Sequence, residues 1–366
     1  MNYAKRIKKI QKTLSRKNLD ALLVSQPENR RYLSGYTGGD HGIGETSGVL
    51  IIPAKGKVHL LTDFRYQLQA EQDASWTKVL IYTKGLIPLL LKLLPELGIK
   101  TLAFESDYTL HSFAKSLREK LGTVGVTTTP SLNLIEKMRL IKDEDEIDAI
   151  RRSVLLNEAV FQEVYADLKP GITETELAIK IEATMRRRGA ERPSFDTIVA
   201  SGKNSALPHA VPGMDKIRKE SPLTIDMGLI LDGYCSDMTR TFVLGKPGKK
   251  YLKYHRLVRR AQLAGMKAVR AGVTGQEVDA VARKIISDAG YGEYFGHSLG
   301  HGVGLAVHEN PRLSFSNNKK LREGMIVTVE PGIYIPGWGG IRLENMVVVR
   351  KDGCENLNQD TTFLDL

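Results

Sequence analysis

The sequence repeats part of itself, and this constrains the fold more than any local pattern does. "PGITETELAIKIEATMRRRGA" begins at Pro170 and "AGVTGQEVDAVARKIISDAGY" at Ala271. Gly171, Thr173, Glu176 and Gly189 recur as Gly272, Thr274, Glu277 and Gly290. Each copy carries Thr-x-x-Glu, a capping box whose two side chains satisfy orphan backbone donors in a helix's first turn. Each also closes on a glycine suited to a left-handed helix end. Two boxes and two stop glycines in register predict an internally duplicated unit of about a hundred residues.

Each copy runs on into a strand pair that carries acids. In the first, "SPLTIDMGLILDGYCSDMTRTFVLG" turns at Asp232-Gly233, the strongest two-residue hairpin signal. A type I′ turn there sets Gly228 opposite Asp237 and Asp226 opposite Thr239, making Asp226 and Asp237 diagonal neighbours on one sheet face. In the second, "GMIVTVEPGIYIPGWGGIRLENMVVV" folds back around Gly337, from which Glu330 and Glu344 are equidistant. The flanks are apolar, as in buried strands, and an unpaired buried carboxylate is strongly unfavourable. Four such acids need cations, and two divalent ions supply about +4 against their −4. An oxygen-rich set with one imidazole suits Mn²⁺ or Co²⁺, with Fe²⁺ or Zn²⁺ also compatible.

"GHSLGHGVGLAVHENP", residues 296–311, brings three histidines close together: His297, His301 and His308. The first two have the i, i+4 spacing of a helical metal site. Gly296, Gly300, Gly302 and Gly304 interrupt it, and each costs a helix interior about 1 kcal/mol relative to Ala. The stretch therefore reads as a loop or strand, where that spacing has no helical meaning.

The chain of 366 residues is long for one core. Residues 1–127 alternate helix and strand patterns ("DALLVS", "SGVLIIP", "KVHLLTD", "TLAFES"), as in a small α/β domain. "VTTTPSLNLI" (126–135) reads as a turn-rich connector, and a long helix begins near "KDEDEIDAIRRS". Two domains are expected, at 1–130 and 131–366. The net charge of +11 invites a nucleic-acid or anionic-membrane reading. The basic start "MNYAKRIKKIQKTLSRKNL" nevertheless has an apolar stripe at Ile7, Ile10 and Leu14, so it reads as a solvated first helix rather than a targeting arm. Two cysteines exclude a disulfide framework and point to a reducing, cytoplasmic setting. No apolar run is long enough to span a membrane.

Taken together, "DMG", "SDMTRT", "GHGVGLAVHENP", "VEPGIYI" and "GGIRLEN" resemble the M24 metallopeptidases of the pita-bread fold. That group includes Xaa-Pro dipeptidases (prolidases), Xaa-Pro aminopeptidases (aminopeptidase P) and methionine aminopeptidases. "PENRRYLSGYTG" and "LLTDFRYQLQA" resemble the creatinase/prolidase N-terminal domain, a layout that favours the proline-directed members. The resemblance implies an α/β (α+β) chain, with that N-terminal domain followed by a pseudo-twofold catalytic domain.

Carried over to this sequence, it implies that Asp226 holds one ion, His301 and Glu330 the other, and Asp237 and Glu344 bridge both. A water bridging two such ions is a nucleophile near neutral pH. Glu330 would accept its proton, while His209 of "LPHAVP" and His308 stabilise the developing oxyanion. His297 would face the bound proline, and His308 and Arg312 would also contact substrate. Arg312 matches an arginine of the prolidase branch that holds a dipeptide's carboxylate. The implied activity is Xaa-Pro exopeptidase, leaning to the dipeptidase, with aminopeptidase P as the alternative. Proline-containing dipeptides or short peptides are the expected partners, and a homodimer the expected assembly. Further alternatives are a methionine aminopeptidase or a non-catalytic basic scaffold for nucleic acid or histones, against which the complete ligand set speaks.

Overall fold

The computed structural model describes residues 1–366, which divide into two compact units, Met1–Arg139 and Leu140–Leu366. In the first unit, α1 (Tyr3–Arg16) leads through β1 (Ala21–Val24), α2 (Pro27–Ser34), β2 (Val49–Pro53) and β3 (His59–Thr62). It continues with α3 (Gln67–Asp73), β4 (Lys78–Ile81), α4 (Leu86–Glu96), β5 (Thr101–Glu105), α5 (His111–Gly122), β6 (Thr127–Ser131) and α6 (Glu136–Arg139). The six strands form one mixed sheet in the order β4-β3-β2-β1-β5-β6. Helix α1 buries Ile7, Ile10 and Leu14 and leaves Lys5, Lys8, Lys9 and Lys12 exposed, the solvated basic helix that its stripe foretold.

The connector expected at 126–135 is not one. Residues Thr127–Ser131 form β6, parallel to β5. The threonines supply the β-branched surface, and Pro130 is tolerated because β6 is an edge strand with no neighbour to bond on its far side. Helix α6 stays with the first unit, where Arg139 donates to Asn29 Oδ1 at 2.8 Å.

The second unit opens with two helices, α7 (Glu144–Ala166) and α8 (Glu174–Arg187). Strands β7 (Arg192–Pro193), β8 (Ile198–Ser201), β9 (Pro222–Met227), β10 (Leu229–Leu231), β11 (Tyr234–Cys235) and β12 (Met238–Val243) complete its first half. The plan then repeats with α9 (Lys249–Ala268) and α10 (Gly275–Asp288). After them come β13 (Gly300–Gly302), β14 (Glu309–Leu313), β15 (Ile326–Val329), β16 (Gly332–Ile335), β17 (Gly339–Arg342), β18 (Asn345–Val349) and β19 (Cys354–Asn356). Strand β9 lies between β12 and β8, as β15 lies between β18 and β13.

The duplication extends to hydrogen bonds. Thr173 and Thr274 each cap a helix and accept from the N–H of Glu176 and Glu277, both at 3.1 Å. Gly189 and Gly290 follow the helix ends with φ of 98° and 84°. Each half also packs its own apolar core, one around Phe161, Ile181 and Ile225, the other around Val258, Val278 and Val327. No helix is long and apolar enough to cross a membrane.

Candidate functional site

The acids are placed by strand register. Asp226 pairs with Thr239 and Met227 with Met238, and the same register runs on to Leu231 opposite Tyr234. The two-residue turn left between them has Asp232 and Gly233 at φ 51° and 83°, as a type I′ hairpin requires. In the second half Val329 pairs with Asn345 and Gly332 with Arg342, so Glu330 and Glu344 occupy facing positions on one continuous register. Both pairings are those the turn chemistry demands.

His301 arrives on β13, a strand rather than a helix. Its N–H donates to Thr328 Oγ1 at 3.0 Å, and the same hydroxyl donates to Glu330 Oε1 at 3.0 Å. Gly300 permits this approach, since a Cβ there would lie 2.0 Å from the Thr328 carbonyl. His301 Nδ1 lies 3.1 Å from the Gly302 carbonyl, which can only accept, so the proton sits on Nδ1. Nε2 then turns its lone pair toward Glu330 Oε1 (3.3 Å) and Asp237 Oδ2 (3.5 Å). Donor atoms of Asp237, His301 and Glu344 lie within 4.8 Å of one another.

The electrostatics are those of acids crowded out of water. Burial, then the neighbouring carboxylates Glu344, Asp226 and Glu330, push the Asp237 carboxyl well above its usual range. Burial, then Glu330 and Asp226, do the same to Glu344. Burial lifts Glu330 to about 7, against the pull of Arg342. His301 is pressed down to about 3 by burial and by His308, so it is a neutral imidazole with a free lone pair. Asp226 Oδ1 and Glu344 Oε1 are buried and accept no hydrogen bond. Buried acceptors without donors, in a set of four carboxylates and one neutral imidazole, fit divalent cations of the hard or borderline kind.

All nine residues singled out in the sequence line one cleft of about 560 Å³ within the second unit. His308 rests edge-on to His301, with ring centroids 4.4 Å apart. Burial, then Arg312 and His209, hold its pKa below the usual histidine value. Arg312, exposed, stands across the β13–β14 pair from His301. His209 is exposed on the segment between β8 and β9. His297 has both ring nitrogens engaged, Nδ1 with the Ser298 carbonyl (2.8 Å) and Nε2 with the Tyr334 hydroxyl (2.9 Å), so it offers the cleft its ring rather than a free N–H.

Two members of the site were not found from the sequence. Arg342 reaches Asp226 Oδ2 at 2.6 Å, the Tyr334 hydroxyl at 2.7 Å and Thr239 Oγ1 at 3.1 Å. Burial disfavours its charge, but Tyr334, Asp226 and Glu330 around it hold the guanidinium protonated beyond the usual arginine value. A signal was present. Arg342 lies two residues before Glu344, and Tyr334 four residues after Glu330, so the period of two points both toward the acids' face. Thr239 and Thr328 obey the same rule, and Thr239 donates to Glu344 Oε2 at 2.7 Å.

Comparison with known proteins decides the family. Residues 148–351 match metallopeptidase family M24. The chain belongs to that family. Residues 6–141 of this M24 peptidase match the creatinase/prolidase N-terminal domain, so both domains are those the motifs implied. It is 35% identical over 358 residues to the Xaa-Pro dipeptidase of Pyrococcus horikoshii, covering 97% of each chain. Its structure superposes on a Xaa-Pro dipeptidase from Bacillus anthracis with a TM-score of 0.90, at 39% identity and 98% coverage of each chain. It also superposes on an X-Pro aminopeptidase from Thermotoga maritima with a TM-score of 0.86, at 38% identity and 94% and 96% coverage.

Proposed function

We propose that this M24 peptidase is a two-metal Xaa-Pro exopeptidase that acts chiefly on dipeptides. The observation that carries the reading is the convergence of Asp226, Asp237, His301, Glu330 and Glu344, with two buried carboxylate oxygens that no donor in the chain satisfies. In this assignment Asp226 would hold one ion and His301 and Glu330 the other, with Asp237 and Glu344 available to both. Mn²⁺ or Co²⁺ suits this donor set best. Such ions, when bound, supply an acidified water and a Lewis acid for the scissile carbonyl.

The remaining work falls to the chain. Glu330 is the proton carrier, taking a proton from the attacking water and passing it to the departing proline nitrogen. It suits this role because its side chain is 16% exposed to the cleft, against 6% for Asp237 and 12% for Asp226. His308 and His209 stabilise the oxyanion as the carbonyl becomes tetrahedral. His297 and Tyr334 form the wall against which the pyrrolidine ring packs. Arg312, exposed at the cleft, pairs with the dipeptide's free carboxylate. An Xaa-Pro amide has no N–H, so recognition through the carbonyl, the amine and the carboxylate leaves no unmet contact.

Aminopeptidase P activity is the second reading, favoured by likeness to the Thermotoga maritima X-Pro aminopeptidase. One assay separates the two. Chelator-treated protein should be inactive, and Mn²⁺ or Co²⁺ should restore cleavage of Ala-Pro well ahead of Ala-Pro-Ala. Preference for the tripeptide would move the assignment to aminopeptidase P, and no turnover on either would overturn it. The expected assembly is a homodimer, checked by sedimentation.

A further inference from the structure

We propose that Lys142 is a positioning residue for His308, acting through Glu309. The proposal rests on the reading of His308 as an oxyanion stabiliser.

Lys142 Nζ lies 3.3 Å from Glu309 Oε2, with side chains only 1% and 7% exposed. The other carboxylate oxygen, Oε1, accepts the Ala306 N–H at 3.0 Å. Glu309 is the first residue of β14, opposite Gly302, where the register of β13 and β14 shifts. Residues 303–308 therefore leave one strand and return to the next around the Glu309 carboxylate. Gly304 lies so close that a Cβ there would come within 2.8 Å of both carboxylate oxygens. The loop is closed by the Gly304 N–H to the Ala306 carbonyl (3.0 Å) and tied to β11 by the Cys235 N–H to the Gly304 carbonyl (2.8 Å).

His308 directly precedes this carboxylate. Its ring rests edge-on against His301, and the backbone at 307–309 sets where it leaves the chain. That backbone follows the Glu309 carboxylate, and Lys142 is one of the groups that hold this carboxylate. Lys142 is itself fixed, since its N–H donates to the Gly324 carbonyl at 2.9 Å. An apolar pair could fill the same space with less desolvation, but it would not orient the loop. A buried ion pair one residue from an oxyanion donor fits an orienting role, because a small displacement of such a donor lowers the rate about a hundredfold.

The test is a double-mutant cycle on metal-loaded protein with Ala-Pro as substrate. Lys142→Met should lower kcat about tenfold to hundredfold, with KM within about twofold and bound metal at the wild-type level. In a His308→Ala background the same substitution should cause no further loss, and Lys142→Arg should keep most of the activity. An equal loss with and without His308, or a fall in bound metal, would overturn the proposal, because Lys142 would then act on the fold or on the metal donors. Should Lys142→Met fail to fold, the cycle is run with Glu309→Gln, which keeps an acceptor for Ala306. Wild-type protein inactive on every Xaa-Pro substrate would instead remove the functional reading, and this inference with it.

Discussion

In the first half of the second unit, β8 sets Ala200 opposite Thr224. In the second half, β13 brings His301 to Thr328 at the corresponding place. The two halves share capping boxes, strand order and hairpin register, yet only the second places an imidazole at this strand position. The acids differ as well, with aspartates at 226 and 237 and the longer glutamates at 330 and 344. The one buried cation against the acids, Arg342, belongs to the second half but binds Asp226 of the first. Duplication has kept the scaffold and let the chemistry diverge. Backbone capping is indifferent to what the outer strand residues do, so those residues could change without disturbing it.

The sharpest way to break this comparison is to remove, from each half, the acid proposed to be shared. Asp237→Asn and Glu344→Gln should each lose bound metal and at least about a thousandfold in kcat, as expected when the group that generates the nucleophile is lost. Elemental analysis of the purified variants checks the first outcome and an Ala-Pro assay the second. If either variant keeps both ions, these acids are not shared between the halves.

A smaller effect should separate the halves. His301→Ala and Asp226→Asn should each weaken one step of a two-step calorimetric Mn²⁺ titration, by roughly a hundredfold or more, and each a different step. Loss of the same step in both would mean that the halves do not hold distinct ions. The smallest expected effect is on the scaffold. Thr173→Ala and Thr274→Ala should each cost about 1 kcal/mol in denaturant titration, alike in the two halves and with metal content unchanged. Unequal costs would show that the symmetry of the caps is only geometric.

The sequence revealed the parts of the molecule set by local chemistry. The caps at Thr173 and Thr274, the turn at Asp232-Gly233 and the equidistance of Glu330 and Glu344 all follow from short-range rules, and the structure obeys them. Glycine spacing likewise told strand from helix around His301. What escaped depends on partners far away in sequence. Thr127–Ser131 looks like a connector until β5 is beside it. Arg342 carries no local mark of its tie to Asp226, a residue of the other half. The partnership of His297 with Tyr334 was not legible, because Tyr334 lies on another strand. The roles proposed for the nine cleft residues rest on the family resemblance, because spacing alone does not assign them.

The hairpin register has a consequence for how this chain can tolerate change. Glu330 and Glu344 face each other because both are counted from the same turn. Side chains alternate along a strand, so a slip of one residue in that pairing would swing one acid from the cleft to the opposite face. A single-residue insertion or deletion between Pro331 and Leu343 is therefore closer to a null allele than most point substitutions in the same segment. Length, more than composition, is what a lineage carrying this hairpin has to preserve.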